Sequence, residues 1–112
     1  MFVPYEEQVL ELLALPHLGG AVLKEAITHG RLVDETHTGV GYLLTIRHPA
    51  LAAERVVLDQ PPVHGTESGI MLGFVVFIED HELTLECFSY EEPVPADIRT
   101  RGVVITKDDP QT

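Results

Sequence analysis

The chain has 112 residues, and its 18 Asp and Glu against 7 Lys and Arg leave a formal charge of −11 with the six His neutral. That length implies a single domain, 1–112, able to bury roughly two thirds of its unfolded surface, so it can hold a core without disulfides or a structural metal. A hydrophobic share of 45% excludes an acidic disordered chain, and seven scattered cations exclude nucleic acid and anionic membranes as partners, because phosphate affinity comes from Lys and Arg.

From Tyr5 the pattern is helical. Val9, Leu12 and Leu13 recur at three-to-four spacing, Leu10 widens the stripe, and Glu6, Glu7 and Glu11 suit the positive end of the helix dipole. Pro4 is a natural start. Pro16 removes a backbone donor and clashes with the preceding turn, so a break is expected there. Leu18, Val22, Leu23, Ala26 and Ile27 resume an apolar face that Gly30 stops. The first thirty residues therefore read as two short helices or one kinked helix.

After Gly30 the period switches to two. Val40, Tyr42, Leu44 and Ile46 fall on one face of a strand, and Gly41, Leu43, Thr45 and Arg47 on the other. Shorter strands are expected over Arg31 to Thr36 and Arg55 to Leu58, the second closed by a Gln60-Pro61-Pro62 turn. Gly69 to Glu79 and Glu82 to Tyr90 form the longest hairpin, joined through Asp80-His81. Gly102 to Thr106 adds an edge strand, and Lys107 to Thr112 reads as a frayed tail. Helices followed by strands give an α+β class: an N-terminal helical segment packed on one face of a curved antiparallel sheet of four to six strands. The cystatin-like architecture shares this element order, which by itself implies nothing about function.

Met1 to Glu7 lacks a basic region followed by an apolar one, and the apolar run Ile70 to Ile78 is about half the ~20 residues of a spanning helix. One cysteine, Cys87, cannot form an internal disulfide. A cytoplasmic location is expected.

A two-residue turn at Asp80-His81 pairs Glu79 with Glu82, Val75 with Glu86 and Gly73 with Phe88. One face of the hairpin then carries Leu72, Phe74, Val76, Ile78, Leu83, Leu85 and Cys87 and is assigned to the helices. The other carries Met71, Val75, Phe77, Thr84, Glu86, Phe88 and Tyr90, too apolar to stand wet. Phe88 is expected to lie across Gly73, leaving a shallow depression lined by Met71, Phe77 and Tyr90 with Glu86 in its middle. Glu86 is either a desolvated carboxyl with a raised pKa, suited to acid or base work, or a wetted carboxylate paired with Arg47.

His17, His29, His37, His48, His64 and His81 lack the close spacings by which one element offers two metal ligands, and all fall near expected turns, so they read as solvated and no metal is assigned. Cys87 reads as a small core residue. Thr38-Gly39-Val40-Gly41 lacks the third glycine of a dinucleotide loop and reads as a bulge. No catalytic residue and no cofactor is assigned. The function expected is a small acidic binding or interaction protein, such as a regulator or a toxin-neutralising immunity-type protein. Its partners would be a second copy of itself, forming a homodimer through the second sheet face, and a basic protein. The alternative is a small enzyme or ligand carrier using Glu86 and Tyr90.

Overall fold

Pro4 opens helix α1 (Pro4–Leu13) in the computed structural model, which describes residues 2–107. Its missing N–H costs nothing in the first turn. The Glu6 side chain reaches back to accept from the Val3 backbone N–H at 2.9 Å, half of a capping box. After one intervening residue, Ala14, the chain continues as α2 (Leu15–Leu18) and α3 (Gly20–His29). Two helices or one kinked helix were expected, and there are three segments. Pro16 sits in the first turn of α2, where proline is tolerated, so the break at Ala14 begins a new helix. Gly19 separates α2 from α3 at φ +84°, a conformation that favours glycine.

Seven strands follow: β1 (Arg31–His37), β2 (Gly41–Arg47), β3 (Val56–Leu58), β4 (Val63–Glu67), β5 (Ile70–Glu79), β6 (Glu82–Ser89) and β7 (Val104–Lys107). A short 3₁₀ turn, Ile98–Thr100, precedes β7. The sheet runs β1-β2-β6-β5-β4-β7, antiparallel throughout, and β3 pairs with the far end of β5. The fold is therefore α+β, with the helices on one face of a curved antiparallel sheet.

The central hairpin has the expected register. Asp80 and His81 hold φ of +53° and +64°, the conformation of a type I′ two-residue turn, and Val75 pairs with Glu86 and Gly73 with Phe88. Three expectations are corrected. The sheet has seven strands among the described residues, more than four to six, because no strand is expected between the Gln60-Pro61-Pro62 turn and Gly69, where β4 lies. It pairs with both β5 and β7. Gly39 belongs to the β1–β2 hairpin loop at φ +87°, and the bulge lies instead between Leu32 and Asp34 of β1. Lys107 closes β7 and is not tail; the remainder of the expected frayed tail, 108–112, lies outside the described residues.

Alternation along β5 and β6 sorts the two faces. Leu72, Phe74, Val76, Ile78, Leu83, Leu85 and Cys87 are buried together with Val9, Leu10, Leu13, Leu23 and Ala26 of the helices. The molecule extends 38 × 35 × 22 Å. Its short dimension accommodates two layers, since packed layers stand roughly 10 Å apart. Among the described residues one sheet face is thus left without a helical layer.

Candidate functional site

The open face is built from the residues between the core positions. Across its middle, Leu43 of β2 stands opposite Glu86 of β6, which stands opposite Val75 of β5. All three are half-buried. The next row toward the Asp80-His81 turn holds Thr45, Thr84 and Phe77, with the two threonine hydroxyls 2.8 Å apart. In the opposite direction come Phe88, Gly73 and His64, and beyond them Met71 and Thr66.

Phe88 lies across Gly73 as the register implied. A Cβ on Gly73 would stand 2.5 Å from the Phe88 ring and 2.9 Å from the Tyr90 hydroxyl, so the missing side chain is what lets both aromatics approach the strand. The Phe88 and Tyr90 rings meet edge to face with centroids 5.5 Å apart. The Tyr90 hydroxyl lies 3.2 Å from His64 Nδ1.

The expected depression divides in two. Met71, Tyr90 and His64 line a cavity of about 810 Å³, rimmed by Glu91 and Glu92. Phe77 belongs to a separate one of about 310 Å³ beside the turn, with Arg55, Glu79 and Thr84. Four residues of strand separate Phe77 from Gly73, roughly 13 Å, and the row containing Glu86 lies between. Glu86 lines neither cavity, and Arg47 does not reach it. That guanidinium pairs with Glu82 at 3.1 Å and donates to the Asp80 carbonyl at 3.2 Å. Among the described residues Glu86 has no ion-pair partner.

The most concentrated polar chemistry lies elsewhere, and the sequence reading missed it. Glu6 of α1 is fully buried. Its carboxylate accepts from Arg99 Nε at 2.8 Å and Nη2 at 3.0 Å, from the Tyr42 hydroxyl at 2.6 Å and from Val3 N–H. Tyr42 has given its proton to that bond, so Tyr5 donates to the Tyr42 oxygen. The cluster borders a cavity of about 290 Å³ that Glu35 and His37 also line, and Arg99 stands 3.5 Å from Glu35. Burial pushes both phenols above the usual tyrosine range, and the Glu6 charge adds to this. The hydrogen bond to Glu6 holds the Arg99 guanidinium in its charged form. Four donors saturate the carboxylate, so it ties α1, β2 and the 3₁₀ turn together and has no lone pair to spare for abstracting a proton. No local motif announces this cluster, since its members lie far apart in the chain. The one available signal was Glu6 at the third helical position, three residues after the Val3 N-cap.

Cys87 is buried in the core as expected, and burial pushes its thiol up to about 12. Solvated histidine is corrected at two half-buried positions: His48 lies 3.1 Å from Glu25 and accepts from Ala50 N–H, and His64 sits within β4 against Tyr90. His81 is exposed as expected and donates from Nδ1 to the Leu51 carbonyl at 2.7 Å. Among the described residues no three His, Cys, Asp or Glu side chains are grouped to hold a metal, and no helix is long and apolar enough to cross a membrane. Comparison with protein-family models, with curated proteins and with solved structures finds no match to this chain.

Proposed function

We propose that this protein is a non-catalytic binding module whose open sheet face docks a basic polypeptide, in the manner of a regulator or of an immunity-type protein masking a basic toxin. The observation that carries the reading is the character of that face. Leu43, Val75, Phe77 and Phe88 stay half-buried and Met71 is 51% exposed, an apolar surface of the kind soluble proteins keep for partners. The charge upon it is predominantly negative. Asp34, Glu86, Glu91 and Glu92 have no cationic partner among the described residues, whereas Arg47 and Arg55 are each already paired, and against these four carboxylates stands Arg31, opposite Arg47 at the β1 edge and without an ion pair among the described residues. A second copy would bring the same sign to the interface, so a cationic partner complements the face better than self-association does.

The enzyme or carrier alternative requires Glu86 and Tyr90 to share a pocket. Tyr90 lines the larger cavity and Glu86 does not. The saturated Glu6 and the desolvated Cys87 thiol offer no base or nucleophile in its place.

Titration of the isotope-labelled protein with deca-arginine, followed by amide NMR, tests the reading. Shifts are expected over Leu43, Val75, Thr84 and Glu86, with affinity falling as salt shortens the Debye length from ~10 Å to ~3 Å. Shifts confined to the helical face, or binding indifferent to salt, would overturn it. Light scattering of the protein alone completes the test. A mass twice the 12.4 kDa of one chain, abolished by Phe88→Asp, would replace the basic partner with a second copy.

A further inference from the structure

The two ends of the open face present a cation with the same chemistry, and within the described chain only one end is occupied. Beside the Asp80-His81 turn, the Arg55 guanidinium carbon lies 5.4 Å from the centre of the Phe77 ring, while Nη1 pairs with Glu79 at 3.1 Å. Ring face and carboxylate together hold the guanidinium, a favourable arrangement because the ring's negative face attracts a cation. At the far end Tyr90, 53% exposed, supplies a second ring, and Glu91 and Glu92 supply two carboxylates. The cavity of about 810 Å³ between them carries no Lys or Arg among its described lining residues. His64 is engaged with the Tyr90 hydroxyl, its ring tilted against the Tyr90 ring with centroids 6.0 Å apart, and the exposed Met71 thioether provides an apolar floor.

We infer that this cavity is the anchor site for an arginine side chain of the basic partner. The guanidinium lies on Tyr90, Glu91 or Glu92 pairs with it, and its aliphatic stem runs along Met71. Arginine fits better than lysine because a planar, weakly hydrated guanidinium stacks on a ring and still donates in its own plane. The inference rests on the open face being the docking surface and adds which side chain it reads and where.

The test uses the protein labelled at its methionine methyls and titrated with deca-arginine, deca-lysine and spermidine. The Met71 methyl is expected to shift saturably with deca-arginine and more weakly with deca-lysine. Tyr90→Leu should cost about three-fold in affinity, the worth of an exposed cation–π contact, and Glu91→Gln with Glu92→Gln about five-fold. Tyr90→Phe should bind like the parent, since it keeps the ring and loses only the hydroxyl held by His64, and its melting temperature reports that the fold is kept. If deca-arginine moves the amides of Leu43, Val75 and Glu86 while the Met71 methyl stays still, the anchor site is wrong and the docking face stands. If nothing on the open face responds, the docking reading fails and the anchor with it. Spermidine binding as tightly as deca-arginine would overturn the side-chain assignment in favour of a free polyamine, and loss of binding in Tyr90→Phe would overturn the ring-face account.

Discussion

Arg99→Ala would leave a fully buried Glu6 carboxylate without its guanidinium, and breaking a buried pair in this way should lower stability by about 3 kcal/mol in urea unfolding. Arg99→Lys should recover only part of that loss, because an ammonium cannot make the paired contacts at 2.8 and 3.0 Å. Two tyrosines and a cysteine in the same core set the response to alkali. Their folded-state pKa values are raised by burial, so the native chain holds protons that the unfolded chain releases from about pH 9 upward. Their stabilisation is complete below that pH and is lost as the pH rises. The urea midpoint should therefore fall steadily between about pH 9 and 12, and a flat profile would contradict this account. Gly73→Ala brings a Cβ to 2.5 Å from the Phe88 ring. It should destabilise by about 1–3 kcal/mol and displace the Phe88 and Tyr90 ring resonances, since overpacking forces side chains off their rotamers.

Among the elements, the β5–β6 hairpin is the centre of the sheet and β1 is one of its edges. Every residue of β1 is exposed, whereas alternate residues of β5 and β6 are fully buried. Amide hydrogen exchange should follow that gradient, slowest for Leu72 to Ile78 and Leu83 to Cys87 and fastest among the strands for Leu32 to Thr36. Protection in β1 equal to that in β6 would mean that something covers this edge in solution. The bulge between Leu32 and Asp34 and the charges at Arg31, Asp34 and Glu35 are devices that discourage strand addition there. Strand β4 shows how an element escapes notice. Val63-His64-Gly65-Thr66-Glu67 has one large apolar residue and a glycine, so its periodicity is weak. Gly65 is required, because a Cβ there would come within 2.8 Å of Val103 and 3.1 Å of Phe74. The usable signal was Ser68-Gly69, a two-residue turn with φ of +49° and +81° that closes the β4–β5 hairpin.

For the whole molecule the governing quantity is the charge of −11 set on a two-layer slab. Solubility should pass through a minimum near the pI of about 4.7, where repulsion between molecules vanishes. Glu86→Lys reverses the charge at the centre of the open face at a half-buried position. It should weaken deca-arginine binding several-fold while shifting the urea-unfolding stability by no more than ~1 kcal/mol. Unchanged affinity in this variant would separate the acidity of the chain from its binding.

The sequence by itself determined what depends on neighbours in the chain: helices before strands, the break near Pro16, the period-two faces of the central hairpin, and its register through Asp80-His81. Alternation and turn chemistry are local, and a two-residue turn leaves the register no freedom. It also placed Phe88 across Gly73, since cross-strand pairing follows once the register is known. Tertiary structure alone decided the contacts that local patterns do not encode. Glu6 and Arg99 meet across 93 residues, β4 forms because β5 and β7 both offer it partners, and Arg47 is claimed by Glu82 before it can reach Glu86. Phe77 and Tyr90 share a face yet serve separate cavities, because a strand spaces same-face residues along its length and only the packed sheet shows which of them converge.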